Sequence, residues 1–221
     1  MPFFRIPANL RPGTDQEGVR SWSSFGDWGP GILRFGPVIQ IQQHHLPPGT
    51  GLFRFDRQSI HLMTVHSGLP LMKTSTGFYQ TLQPQSVLSW HSGGGTTISL
   101  ETDPDAGAMI TEFQLLPTAL FDRSSLVTTR FHHREGLSGF LEEQAGGFRM
   151  VSGELFPFEE TSLGLSNPDN GLLLVFLEGT CQIGGDIAGP GDVVGVYDYD
   201  RIQFMPQTRL SLVGLEVEMS G

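Results

Sequence analysis

Ile60-His61-Leu62-Met63-Thr64-Val65-His66-Ser67-Gly68 and Leu172-Leu173-Leu174-Val175-Phe176-Leu177-Glu178-Gly179 have the same form, an apolar run closed by a glycine. A second echo follows each of them. Leu82-Gln83-Pro84-Gln85-Ser86-Val87 matches Ala188-Gly189-Pro190-Gly191-Asp192-Val193. Two echoes in the same order mark an internal duplication, and the short apolar runs between turns make the repeated unit a small β-barrel. Working outward, strand-like runs recur over Ile32 to Leu46, Gly77 to Leu82, Val87 to Trp90, Thr96 to Leu100 and Met109 to Leu116. In the second half they recur over Arg149 to Leu155, Cys181 to Ile183, Val193 to Tyr197 and Leu210 to Val217. A spacing of roughly 10 residues with Gly, Pro, Ser or Asp between runs suits a barrel or sandwich. Glycine (29) and proline (15) occupy 44 of 221 positions, too many interruptions for a helical bundle. The expectation is an all-β chain of two barrels.

Acids exceed bases by 23 − 13 = 10, and the pI is near 5.0. That balance argues against nucleic acid or an anionic membrane surface as partner, since both select a basic footprint. Lys73 is the only lysine among the 13 bases, which leaves one candidate for Schiff-base chemistry. Cys181 stands alone, so neither a disulfide framework nor a cysteine-rich metal site is expected; a small buried hydrophobe is. MPFFRIPANLRPG has no basic n-region with a long apolar run behind it, and no stretch reaches the ~20 apolar residues of a membrane span. A cytoplasmic location is the expectation. Charge rises after Pro117, with Asp122, Arg123, Arg130, Arg134, Glu135, Glu142 and Glu143, and Leu137 to Ala145 reads as a short helix. The expected division is an N-terminal barrel over 1–128 and a C-terminal barrel over 129–221 that includes this connecting segment.

Gly49, Phe55, Arg57, His61 and Gly68 fall on the spacing Gly, five residues, His-x-His, three residues, Glu, six residues, Gly. Ser21-Trp22-Ser23-Ser24-Phe25-Gly26-Asp27, Gly31-Ile32-Leu33-Arg34, Pro48-Gly49-Thr50-Gly51 and Phe113-Gln114-Leu115-Leu116-Pro117 add four further short matches. On these the chain resembles the pirin family of the cupin superfamily, over most of its length. The resemblance implies two cupin barrels of the double-stranded β-helix or jelly-roll type joined by a short helical connection. It also implies three histidines and a glutamate as ligands of an iron-type ion, and an activity of the quercetin 2,3-dioxygenase type. Neutral imidazoles and a carboxylate with open positions do suit non-haem iron.

The residues at those positions do not match. The His-x-His positions hold Phe55 and Arg57. The later His-Ser-Glu triplet falls on Ile98-Ser99-Leu100 if the glycines are aligned, or on Ser99-Leu100-Glu101 if Asp103-Pro104 is aligned. Phe55 has no donor atom, and Arg57 puts a permanent positive charge where a cation would sit. The expectation is therefore a pirin-like chain whose metal ligands are lost, with no cofactor, and with iron or another divalent metal only under the dioxygenase alternative. Period-2 alternation would place Phe55, Arg57 and His61 on one face. Two readings stand. Either Arg57 and His61 hold a small anionic or phenolic molecule between Phe55 and Trp90, or Phe55 fills the vacated space and Arg57 pairs with Glu101. A regulatory role through a protein partner is a third possibility, without an apolar stretch that identifies a surface.

The other candidates read as structural. His44-His45, His66 and His132-His133 are expected to face solvent or cap turns, and a metal site from His44, His61 or His91 has no spacing to support it. Gly93-Gly94-Gly95 lacks a Walker lysine and a following helix, so it reads as a barrel turn. Ser99 has no nucleophile-elbow context, no Ser-His-Asp arrangement is legible, and Glu142-Glu143 and Glu159-Glu160 read as solvated faces.

Overall fold

The computed structural model describes residues 3–25, 34–55, 58–93, 95–117, 123–131, 136–143 and 147–219. The strands of the first part are β1 (Phe3–Ile6), β2 (Gly13–Gln16), β3 (Val19–Ser23), β4 (Val38–Leu46), β5 (Gly51–Phe55) and β6 (Ser59–Ser67). They continue as β7 (Leu71–Thr74), β8 (Tyr79–Thr81), β9 (Ser86–Ser92), β10 (Thr97–Glu101), β11 (Ala108–Leu115) and β12 (Ser125–Arg130). The rest are β13 (Gly136–Glu143), β14 (Phe148–Leu155), β15 (Thr161–Gly164), β16 (Asn170–Glu178) and β17 (Cys181–Ile183). Last come β18 (Asp186–Ala188), β19 (Val193–Val196), β20 (Arg201–Pro206) and β21 (Leu210–Glu218). One 3-10 turn, Ala8–Leu10, is the sole helical element among the described residues, so no helix there is long and apolar enough to cross a membrane. The fold is all-β.

The duplication read from the sequence is explicit in the sheets. One sheet contains the order β9-β6-β11-β4 and another contains β19-β16-β21-β14. The facing sheets run β5-β10-β7-β8 and β15-β20-β17-β18. Each of these eight strands of the first barrel thus has a counterpart ten strands later. Gly68 and Gly179, which close the two echoing runs, share a left-handed backbone (φ 81 and 78). At each, a Cβ would overlap a backbone carbonyl oxygen, of Gly107 and of Arg209. Only glycine tolerates both constraints, which is why the echo ends in it twice.

Two compact units result: Pro12–Gly29 with Val38–His132, and Met1–Arg11 with Pro30–Pro37 and His133–Gly221. A single cut after residue 128 therefore misplaces the first eleven residues. They belong with the second unit because β1 pairs with β19, Phe3 opposite Val196. Asp192 fastens the segment by accepting from the Ala8 amide at 2.8 Å and pairing with Arg5 at 3.2 Å. Of the helix expected over Leu137–Ala145, the part up to Glu143 is replaced by β13, which pairs with β14 from Gly136↔Glu154 to Glu143↔Phe148, and the last two residues lie outside the described residues. Its register breaks between Gly139 and Leu141, and that bulge removes the period-2 alternation by which a strand is recognised.

Each unit closes on its own apolar core. In the first unit it is built from Leu46, Leu52, Met63, Val65, Met72, Leu88, Trp90, Ile98, Leu100 and Ile110. In the second unit it runs through Val151, Leu172, Leu174, Phe176, Cys181, Val194, Val196, Phe204 and Leu212. Cys181 is a buried hydrophobe as expected, and burial pushes its thiol up to about 11.

Candidate polar centre of the first barrel

Among the apolar side chains inside the first barrel lies one charged group, Glu112 of β11, only 2% exposed. Its neighbours are set by register. Glu112 stands between Gln42 of β4 and Met63 of β6, so the inward side chains on its diagonals are His44 and His61. His44 Nε2 lies 2.9 Å from Glu112 Oε2, and His61 Nδ1 lies 2.7 Å from Oε1. Arg54 reaches in from the facing sheet, with Nε at 2.9 Å and Nη2 at 2.8 Å from Oε2. Nη2 also approaches Gln42 Oε1 at 2.7 Å and His44 Nε2 at 2.9 Å. The row extends both ways: Ser21 Oγ lies 2.7 Å from His44 Nδ1, and the Trp90 indole stacks on His61 at 4.6 Å.

Hydrogen counting fixes the proton positions. Nη2 has two hydrogens, and its two shortest contacts give them to Gln42 and Glu112. His44 then carries its hydrogen on Nε2 and donates it to Glu112, while the Ser21 hydroxyl donates to Nδ1. His61 donates its Nδ1–H to the other carboxylate oxygen. Burial by itself would raise the Glu112 carboxyl, but the Arg54 charge and the bonds from His44 and His61 outweigh it and hold it well below the usual carboxylate range. A folded-state pKa below the unfolded one means that this stabilisation is present above the unfolded value, about 4.3, and is lost as pH falls through the folded value. In urea titrations from pH 3 to 7 the wild type should lose stability steeply below about pH 4.5. Glu112→Gln should have a shallower slope in that window, and an unchanged slope would show that Glu112 is not the group that titrates. Buried Glu216 of the second barrel, also held low against burial by Ser166, Asn170 and Arg149, supplies the slope that remains.

The second barrel serves as an internal comparison. Carrying the registers across, His61 corresponds to Leu172, Trp90 to Val196, Glu112 to Gly214, Gln42 to Val151 and His44 to Gly153. The polar row of the first barrel has become apolar or side-chain-free in the second. Each barrel buries a carboxylate beside an arginine, Glu112 with Arg54 and Glu216 with Arg149, but among the described residues only the first adds two histidines and a stacked tryptophan, which makes it the place to look for function.

Trp90 connects the row to a cavity of about 240 Å³. Phe78, Trp90 and Leu126 give it apolar walls, and Thr74, Thr76 and Ser125 supply hydroxyls. The Trp90 indole N–H is buried and has no hydrogen-bond partner among the described residues. Among the described residues no charged side chain lines the cavity.

The residues expected to form the site are scattered. Phe55 faces outward, 54% exposed, as does Phe53, because the inward residues of β5 are Leu52 and Arg54. Strand parity does not run from Phe55 to His61, since Gln58 with φ 62 reverses the chain between β5 and β6. Arg57 lies outside the described residues. Glu101 is on the outer face and pairs with Lys73 at 2.5 Å, on a strand whose inward residues are Ile98 and Leu100. Ser99 shares its outward parity and is partly buried. Of the expected set, only His61 and Trp90 join the polar row. His44, expected at the surface, is buried at its centre. Ser21, Gln42, Arg54 and Glu112 were missed. The legible sign was a lone acid at inward parity in the run Met109 to Leu116.

No protein-family model and no curated protein matches the sequence. Solved structures do match. YhhW from Escherichia coli superposes with a TM-score of 0.88 at 15% identity, covering 99% of both chains. Bacterial pirin YhhW from Escherichia coli in complex with nickel(II) gives 0.87 at 14% identity, covering 99% of this chain and 100% of that one. The fold is that of a pirin-like cupin. Quercetin 2,3-dioxygenase from Acinetobacter baumannii shares it, with a TM-score of 0.75 at 13% identity over 99% of this chain and 86% of that one.

A metal such as that nickel requires donor atoms with free lone pairs converging on one point. Among the described residues no three His, Cys, Asp or Glu side chains are grouped to hold a metal ion. Both Glu112 oxygens already accept hydrogen bonds, and a guanidinium stands within 2.8 Å of one of them. The described residues, as arranged, do not fit a divalent metal.

Proposed function

We propose that this pirin-like cupin binds a small phenolic molecule in its first barrel without a metal and without catalysing its conversion, in the cytoplasm. The observation that carries this reading is the Trp90 cavity. It offers an aromatic wall and a hydroxyl-lined edge, and the indole of that wall carries a buried N–H with no partner among the described residues and stacks on His61 of the polar row. With no charged side chain among its described lining residues, it suits a neutral phenol better than a carboxylate. At about 240 Å³ it lies below the ~300 Å³ where drug-sized pockets begin, which favours a single-ring ligand over a larger one.

Titration of chelator-treated protein with 4-methylphenol should quench tryptophan emission with a Kd of about 0.1–1 mM. Toluene should bind less well, and benzoate hardly at all. Equal binding of toluene and 4-methylphenol would remove the hydroxyl-reading role from the cavity. The second reading, a metal-dependent dioxygenase of the quercetin 2,3-dioxygenase type, draws on the shared fold of such an enzyme. Elemental analysis together with flavonol turnover under added iron, nickel, copper or manganese decides between them. Stoichiometric metal with turnover would overturn the metal-independent proposal.

A further inference from the structure

Arg54 Nη2 occupies a point about which two side-chain oxygens and an imidazole nitrogen converge. Gln42 Oε1 is 2.7 Å away, Glu112 Oε2 2.8 Å and His44 Nε2 2.9 Å. An amide oxygen, a carboxylate oxygen and an imidazole nitrogen about one point are a donor set for a divalent transition metal, with positions left open. Two further contacts brace it from behind: Ser21 Oγ holds the far nitrogen of His44, and His61 holds the other oxygen of Glu112. Such outer contacts orient the ligands of metal centres. The three donors come from β4 and β11, adjacent strands of one sheet, while Arg54 comes from β5 of the facing sheet. The donor frame is thus independent of the cation that fills it.

We infer that the Arg54 guanidinium is the resident cation of a latent divalent-metal site formed by Gln42, His44 and Glu112, and that its side chain keeps metal ions out. This rests on the metal-independent reading of the first barrel and explains it. The present distances are those of hydrogen bonds; His44 Nε2 and Glu112 Oε2, 2.9 Å apart, already stand like neighbouring ligands, so an ion at about 2.0–2.2 Å from both sits closer to them than Nη2 does, and Gln42 Oε1 has to follow it. The proton inventory allows it. His44 gives up its Nε2 hydrogen and takes one on Nδ1, where the Ser21 oxygen accepts it, so the imidazole stays neutral and no net proton is released. A divalent ion also more than replaces the charge that removal of Arg54 takes from Glu112.

The test compares wild type, Arg54→Ala and Arg54→Ala/Glu112→Gln, each dialysed against cobalt(II) and read by visible d–d absorption, elemental analysis and thermal midpoint. Arg54→Ala should bind one equivalent more cobalt than wild type, show d–d bands and gain in midpoint. The double variant should fold with neither gain. Ser21→Ala added to Arg54→Ala should weaken cobalt binding by about 10- to 100-fold, the usual cost of losing an outer contact. A folded Arg54→Ala that takes up no additional cobalt overturns the inference. So does an Arg54→Ala that stays unfolded with cobalt while the double variant folds. If neither folds under any condition, Arg54 is a structural strut and not a replaceable cation, and the inference falls too. Metal and flavonol turnover in the wild type would count against the proposed function alone, because the added equivalent in Arg54→Ala is read as a difference.

Discussion

Replacing Arg54 with methionine should lower the unfolding free energy at pH 7 by about 3–5 kcal/mol, the cost of leaving a buried charge without its partner. Glu112 is only 3% exposed in its side chain, so its carboxylate cannot recover hydration when the guanidinium goes. The two histidines still donate to it, but neither brings a fixed charge. Methionine keeps most of the length and apolar stem of arginine, so lost packing contributes little. Adding Glu112→Gln removes the stranded charge and should restore most of the loss, giving a large coupling energy in the double-mutant cycle. The surface pair Lys73–Glu101 is the contrast. Its contact is shorter, at 2.5 Å against 2.8 Å, but both side chains are 45% exposed, so Lys73→Ala should cost at most about 1 kcal/mol. Urea unfolding of the four variants at pH 7 and pH 4 checks both statements. A cost for Arg54→Met no greater than that for Lys73→Ala would show that water reaches Glu112 and that the network is not a closed one.

The contrast between these two ion pairs also shows where the sequence could be read and where it could not. The duplication was legible because it rests on local constraints, an apolar run with a glycine in the left-handed region at its end, and these recur at Gly68 and Gly179. The polar row was not, because its members are far apart along the chain. His44 and Glu112 are separated by 68 residues and His61 and Glu112 by 51, and only the register of β4, β6 and β11 brings them together. The family spacing pointed to Phe55 and Arg57, but parity counted through a chain reversal fails, and the turn at Gln58 is such a reversal. One residue's shift along β5 exchanges the outward Phe55 for the inward Arg54. The strand missed at Gly136–Glu143 failed for a related reason, a bulge that breaks the alternation.

Trp90→Ala should be about as costly as the loss of Arg54, near 3–5 kcal/mol, since the indole is fully buried and its removal leaves a void beside Met63 and Leu88. That loss alone cannot reveal a ligand site, because any core tryptophan would show it. Trp90→Phe can. It keeps an aromatic ring against His61, now stacked at 4.6 Å and 24°, and keeps the apolar wall of the cavity, while removing the buried N–H. In the free protein that N–H satisfies no acceptor among the described residues, so its removal should cost little stability beyond the change in volume. In the complex it donates to the phenolic oxygen, so binding of 4-methylphenol should weaken by about 1 kcal/mol, a factor of roughly five, while toluene is unaffected. Calorimetric titration reads this without relying on the fluorescence of the residue being replaced. Equal weakening for toluene and the phenol would mean that only ring shape was lost. No weakening for either would place the ligand elsewhere and leave Trp90 as the packing bridge between the cavity wall and the buried Glu112 network.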